Sequence, residues 1–280
     1  MPENLNPEPF EIERDGVTIA GETAGEGPDV VLLHGLTATR RYVVMGSKAL
    51  PRAGYRVTTF DARGHGESSP AGDPAAYEYR DMVDDLAAVL DHLGADRAAM
   101  GGASMGAHST MAFALAWPER VSALVQITPA YDGRPRSDSG DLAEWRRLAD
   151  GLESGGVDGF LAAYRPKVAE QWRDTVMTVT RQRLERHRHP QAVADALRVV
   201  PASVAFEGLE ELEAVETPTL VVASGDEADP GHPFAVGESY AARLPNARLV
   251  TEEEGASPLA WQGARLSKAI AEFLGEAGWG

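Results

Sequence analysis

"RAAMGGASMGAHSTMAFALAW", residues 97–117, decides the fold. A short apolar run, Arg97 to Gly102, reads as a strand, and Met105 to Trp117 reads as a helix stopped by Pro118. Between them lies Gly102-Ala103-Ser104-Met105-Gly106, a G-x-S-x-G. The five-residue pattern is weak by itself, because glycine and serine are common. Strand before and helix after give it meaning: the serine then occupies a strained bend that lifts its hydroxyl above the C-terminal edge of a sheet. The flanking glycines are needed because strand and helix backbones pass too close for side chains.

Working outward, the same alternation continues on both sides. "DVVLLHG" (29–35) and "YRVTTFDARGHGESS" (55–69) are strands running into Gly-rich loops, and "VSALVQIT" (121–128) is another strand. The 29–33 run is apolar on both faces, as expected of a buried parallel strand. Met82, Leu86, Val89, Leu90 and Leu93 recur at helical spacing, with Gly94 as the stop. Phe10–Arg14 and Val17–Glu22 flank Asp15-Gly16, a hairpin signal. Strand and helix in alternation predict a parallel sheet with right-handed crossovers.

The alternation stops after residue 130. Residues 131–212 carry charged, helix-like patterns anchored by Trp145, Tyr164 and Trp172, with no clear strand. It resumes with a strand at 217–224, a helix at 233–244, a strand at 247–251 and a closing helix marked by Leu266, Ile270, Phe273 and Leu274. The expected division is an α/β core of residues 10–130 and 213–280, interrupted by a helical cap or lid at 131–212.

Composition limits the function. Lys plus Arg number 26 against 43 Asp plus Glu, a net charge of −17 over 280 residues. Phosphate backbones and anionic membranes repel such a surface, so nucleic acid and membranes are not expected partners. The absence of cysteine excludes disulfides, thiolate metal sites and cysteine nucleophiles. "MPENLNPEPF" lacks a basic n-region and an apolar h-region, and no apolar run approaches the roughly 20 residues that span a bilayer, so a cytoplasmic protein is expected. The histidines lack metal-ligand spacing and the Ser104 turn lacks the lysine of a phosphate loop, so neither metal nor cofactor is expected.

His34-Gly35 ends the 29–33 strand, so the N–H of Leu36 is placed to point toward Ser104 and, with that of Met105, to form a two-donor oxyanion hole. With Asp61-Ala62-Arg63-Gly64-His65-Gly66 and the G-x-S-M-G turn, the chain resembles the α/β-hydrolase superfamily, in particular its esterase, lactonase and peroxidase-like members. The resemblance covers residues 15–274. It implies a mostly parallel central sheet flanked by helices with a helical cap, and Ser104 as nucleophile. It says little about substrate, because this fold hosts many chemistries.

The resemblance also implies an acid after the strand that follows the cap. In "SGDEADPGHP" (224–233), Asp229 stands four residues before Pro233 and fits best; Asp226 and Glu227 are neighbours, and Asp132 is a second known placement. The family's histidine belongs in the loop after the last strand, where this chain reads Gly255-Ala256-Ser257-Pro258. A proline moves no proton, and a serine hydroxyl is a poor nucleophile without a base. Among the seven histidines, His34 and His65 are expected to shape loops, His92 to face solvent, and His108 to point away from the pocket. His187 and His189 are expected on the cap surface. His232, three residues after Asp229, is the candidate replacement base.

Three functions stay open at this level: a hydrolase of small esters, thioesters or lactones with a displaced base, a non-hydrolytic lyase or cyclase, and a non-catalytic binder. All three imply a small-molecule partner with a carbonyl group. His34, Gly35, Arg40 and Trp261 are candidate pocket residues; Arg40 and its neighbours also fit a plain helix start.

Overall fold

The computed structural model describes residues 5–133, 140–256, 259, 261 and 263–279. Ser257 and Pro258, which stand at the expected histidine position, lie outside the described residues. The chain runs β1 (Glu8–Arg14), β2 (Val17–Ala24), β3 (Asp29–Leu33), α1 (Arg41–Val44), α2 (Ala49–Arg52), β4 (Arg56–Phe60), α3 (Tyr79–Leu93), β5 (Ala98–Ala103), α4 (Met105–Ala116) and β6 (Val121–Ile127). It continues through α5 (Gly140–Ala163), α6 (Glu170–Leu184), α7 (Pro190–Val199), β7 (Thr219–Ala223), α8 (Phe234–Arg243), β8 (Ala247–Thr251) and α9 (Ala264–Glu276).

The strands form one eight-stranded sheet in the order β1-β2-β4-β3-β5-β6-β7-β8. β1 and β2 are an antiparallel hairpin whose turn residues, Asp15 and Gly16, both hold positive φ (48° and 76°). β2 lies antiparallel to β4, and every later pairing is parallel.

Alternation along β3 shows why both faces need helices. Val31 and Leu33 join the core shared with α3, α4 and the inserted helices, whereas Val30 and Leu32 join the core beneath α1, α2 and α9. All four are essentially without exposure. Each such burial contributes roughly 1.5–3 kcal/mol against an exposed side chain. α4 runs into the first of these cores, with Met105, Met111, Phe113 and Ala114 all buried.

Between β6 and β7 the described residues form three α-helices, α5 to α7, two short 3-10 helices and no strand. α5 bends at Gly156 (φ 59°, ψ −148°) and packs along α7, where Arg198 bonds Asp150 and Glu153. The sheet order places the ends of β3, β5, β6 and β7 side by side beneath this insertion. These are the ends where open α/β sheets bind ligands.

Candidate active site

Ser104 sits at φ 50° and ψ −111°, between the last residue of β5 and the first of α4. Its N–H donates to Ile127 O at 2.9 Å, and its carbonyl accepts from His108 N at 3.0 Å. The glycines explain how the bend is reached. A Cβ on Gly102 would fall 2.1 Å from the Gly106 carbonyl carbon, and one on Gly106 would fall 2.2 Å from Leu33 O. A Cβ on Gly35 would lie 3.6 Å from Ser104 Cβ, so the turn after β3 packs directly on the serine. Leu36 and Met105 are both buried. Neither of their N–H groups donates to a turn, loop or cap carbonyl among the described residues.

Three buried imidazoles hold the turn after β3. His34 Nδ1 donates to Gly35 O (2.8 Å), and its Nε2 accepts from Ala62 N (3.0 Å). His65 sets its ring nitrogens against Arg63 O (2.9 Å) and Leu36 O (2.7 Å). His187 accepts from Gly66 N at Nδ1 (2.9 Å) and faces Thr37 O with Nε2 (3.2 Å). The rings follow one another at 5.2 and 5.5 Å between centroids. Burial, with His65 adding repulsion, drives the pKa of His34 and of His187 down to about 3. Burial likewise lowers His65, against its two carbonyl partners. Both nitrogens of His34 are occupied by backbone, so this ring supports the site from beneath.

His187 overturns one expectation. It does not decorate the cap surface; only 8% of it is exposed. It fixes the end of α6 to the loops after β3 and β4, and Arg188 N adds a bond to Gly66 O at 2.9 Å.

Asp229 and His232 come together as expected from their spacing. His232 Nδ1 lies 2.8 Å from Asp229 Oδ2, on the loop between β7 and α8. Burial opposes ionisation of Asp229, but the imidazole and the more distant Arg183 outweigh it and hold its pKa below the usual carboxylate value. Both side chains keep about a third of their surface accessible, 27% for His232 and 31% for Asp229. Asp226 caps α8 by accepting from Phe234 N (2.8 Å), while Glu227 is exposed. Among the described residues no hydrogen bond joins His232 to Ser104. Their strands are separated by β6, so about 10 Å of sheet lies between the two strand ends.

The remaining candidates are placed elsewhere. His108 is occupied on both nitrogens, by Tyr79 Oη and by the N–H groups of Ala130 and Tyr131. The Arg40 guanidinium is held by Asp61, Glu67 and Glu22. It lines a cavity of about 330 Å³ whose walls include Thr39, Lys48 and Arg186 but not Ser104. Trp261 donates its indole N–H to Glu252 (2.7 Å), and Glu252 also accepts from Gly225 N (2.7 Å). Glu252 therefore links the loop of Asp229 to the turn before α9. It was not singled out from sequence, where it is one of three successive glutamates.

Comparison with known proteins agrees with this architecture. The model of the alpha/beta hydrolase fold family matches residues 28–259. The chain belongs to that family. It is 29% identical over 272 residues to a putative 2-succinyl-6-hydroxy-2,4-cyclohexadiene-1-carboxylate synthase of Bacillus subtilis, covering 93% of this chain and 96% of that one. It is 27% identical to the non-heme chloroperoxidase CPO-A1 of Kitasatospora aureofaciens, over 95% of this chain and 99% of the other. An esterase of Thermogutta terrifontis, solved with malate bound, superposes with a TM-score of 0.78 at 26% identity, covering 96% of this chain and 99% of that one. Relatives of this kind support a hydrolase-type function.

Proposed function

We propose that this protein is a serine hydrolase acting on a small ester, thioester or lactone, with a base displaced from the family's usual position. Ser104 Oγ attacks the substrate carbonyl carbon. Its proton passes to Nε2 of His232, whose Nδ1–H is directed at Asp229. The transfer requires the imidazole to approach the hydroxyl, directly or through water. The Leu36 and Met105 N–H groups receive the oxyanion. Collapse expels the alcohol or thiol, which takes the proton from His232, and water then releases the acid from Ser104 by the same route reversed.

The observation that carries this reading is the backbone of Ser104. A serine at φ 50° costs of order 1–3 kcal/mol, and here three glycines are arranged to permit it. Such strain is retained where a side chain must be presented to a ligand.

Fluorophosphonate labelling tests it. Stoichiometric capture at Ser104 is expected, abolished in Ser104→Ala and slowed at least tenfold in His232→Ala. Labelling unaffected by His232→Ala removes the base assignment and leaves the nucleophile. A protein that does not label at all is not a serine hydrolase. The second reading is a lyase or a ligand binder that uses Ser104 as a hydrogen-bond donor. The missing bond between His232 and Ser104, together with Pro258, favours that reading.

A further inference from the structure

The cavity of about 330 Å³ beside Arg40 does not include Ser104, Asp229 or His232 in its walls. It is bounded by Leu5 and Pro7 ahead of β1, by Val57 on β4, by Val44 on α1 and by Pro51 on α2. Val44, Pro51 and Val57 are buried, so one side of the cavity is a packed apolar wall. The volume is in the range that takes a small organic ligand.

Its charge runs against that of the chain. Four of the seven charged residues on the wall are basic, Arg40, Arg41, Lys48 and Arg186, whereas the whole chain has 26 basic and 43 acidic residues. The three wall carboxylates, Glu22, Asp61 and Glu67, all pair with one guanidinium, that of Arg40. Glu67 pairs in addition with Arg188, at 2.5 Å. Among the described residues no carboxylate pairs with Arg41, Lys48 or Arg186. Lys48 makes one long bond, from Nζ to Asn6 Oδ1 at 3.3 Å. Three cations without a carboxylate thus face one concavity. A concave, partly apolar wall focuses the potential of such charges, which on a convex surface water would screen. A carboxylate brings a single negative charge to match them. A phosphomonoester brings nearly two at pH 7 and three acceptor oxygens, which suit two guanidinium forks and an ammonium.

We propose that this cavity is a second binding site, for a small phosphomonoester whose apolar body lies against Val44, Pro51 and Val57 and whose phosphate is met by Arg41, Lys48 and Arg186. The proposal does not rest on the hydrolase reading, since none of these residues belongs to the Ser104 site.

The test is a calorimetric titration of the full-length protein with phenyl phosphate, phenol and inorganic phosphate. Phenyl phosphate is expected to bind with a Kd of about 1 mM or tighter, roughly tenfold more tightly than phenol or inorganic phosphate. Arg41→Gln, Lys48→Gln and Arg186→Gln are each expected to weaken it by about tenfold. Arg80→Gln, an exposed arginine of α3 outside the cavity, is expected to leave it unchanged. An unaltered Tm in each variant shows that the fold is intact. Phenyl phosphate that does not bind overturns the proposal. So does an affinity that survives both Arg41→Gln and Arg186→Gln, a loss of equal size in Arg80→Gln, or phenol or inorganic phosphate binding as tightly as the ester. Failure of fluorophosphonate labelling bears on the hydrolase reading alone.

Discussion

Ser104 and Thr128 stand side by side at the ends of neighbouring strands, and both hold positive φ, 50° and 43°. The register pairs Ala103 with Ile127, and Ser104 N closes the ladder onto Ile127 O. Thr128 N in turn donates to Val222 O at 2.7 Å, which pins the second bend to β7. A β-branched residue at positive φ is a true outlier, so two strained residues meet where the site is proposed.

Thr128→Gly removes strain but adds freedom to the unfolded chain. A net stabilisation of about 1 kcal/mol is expected, near 2 °C in Tm for a chain of this size. If the bend serves the site, the same variant labels more slowly with fluorophosphonate. A lower Tm in thermal denaturation would show that Thr128 is not strained.

Gly102→Ala and Gly106→Ala are expected to behave in the opposite way. Each adds a methyl within about 2.2 Å of backbone, which no rotamer change relieves. The cost is expected to reach or exceed roughly 3 kcal/mol in denaturant titrations, with labelling lost. Gly16→Ala is the control: its Cβ meets nothing within 4 Å, and only its φ of 76° is penalised, by about 1 kcal/mol.

The buried imidazoles make stability depend on pH. His34 and His187 hold pKa values of about 3 when folded, against an unperturbed value near 6.5. The unfolded chain therefore binds more protons between those limits. Stability is complete above about pH 6.5 and falls as pH drops toward 3, by up to about 1.4 kcal/mol per unit for each ring. Urea unfolding at several pH values checks this, with His187→Gln giving a shallower slope. A slope unchanged in that variant contradicts the depressed pKa.

Pro258→His introduces an imidazole at the sequence position where the family resemblance implies one. If Asp229 is the acid, labelling at Ser104 is expected to accelerate at least tenfold over the native chain. In combination with Asp229→Asn the gain is expected to vanish. Gain without dependence on Asp229 would move the acid elsewhere, with Asp132 the next candidate.

Much of this was legible in the sequence because it is local. β3 betrays itself as a buried strand by being apolar on both faces, and the hairpin turn by Asp15-Gly16. Ser104 is marked by glycines two residues to either side, since backbone crowding is written within five positions. Asp229 and His232 are legible for the same reason, being three residues apart. His187 is not, because its partners Gly66 and Thr37 are 121 and 150 residues away. Nothing in "RHRHP" distinguishes a histidine that will be enclosed from one that will meet water. Glu252 is similar: it takes its meaning from loops on other strands, and it looks like one more charge on a charged turn.

The bonds at His187 and Arg188 also anchor the inserted segment to the sheet. They rivet the junction of α6 and α7 to the loops after β3 and β4, through Gly66 and Thr37. Any rearrangement of the inserted helices must either break these bonds or leave that corner where it stands.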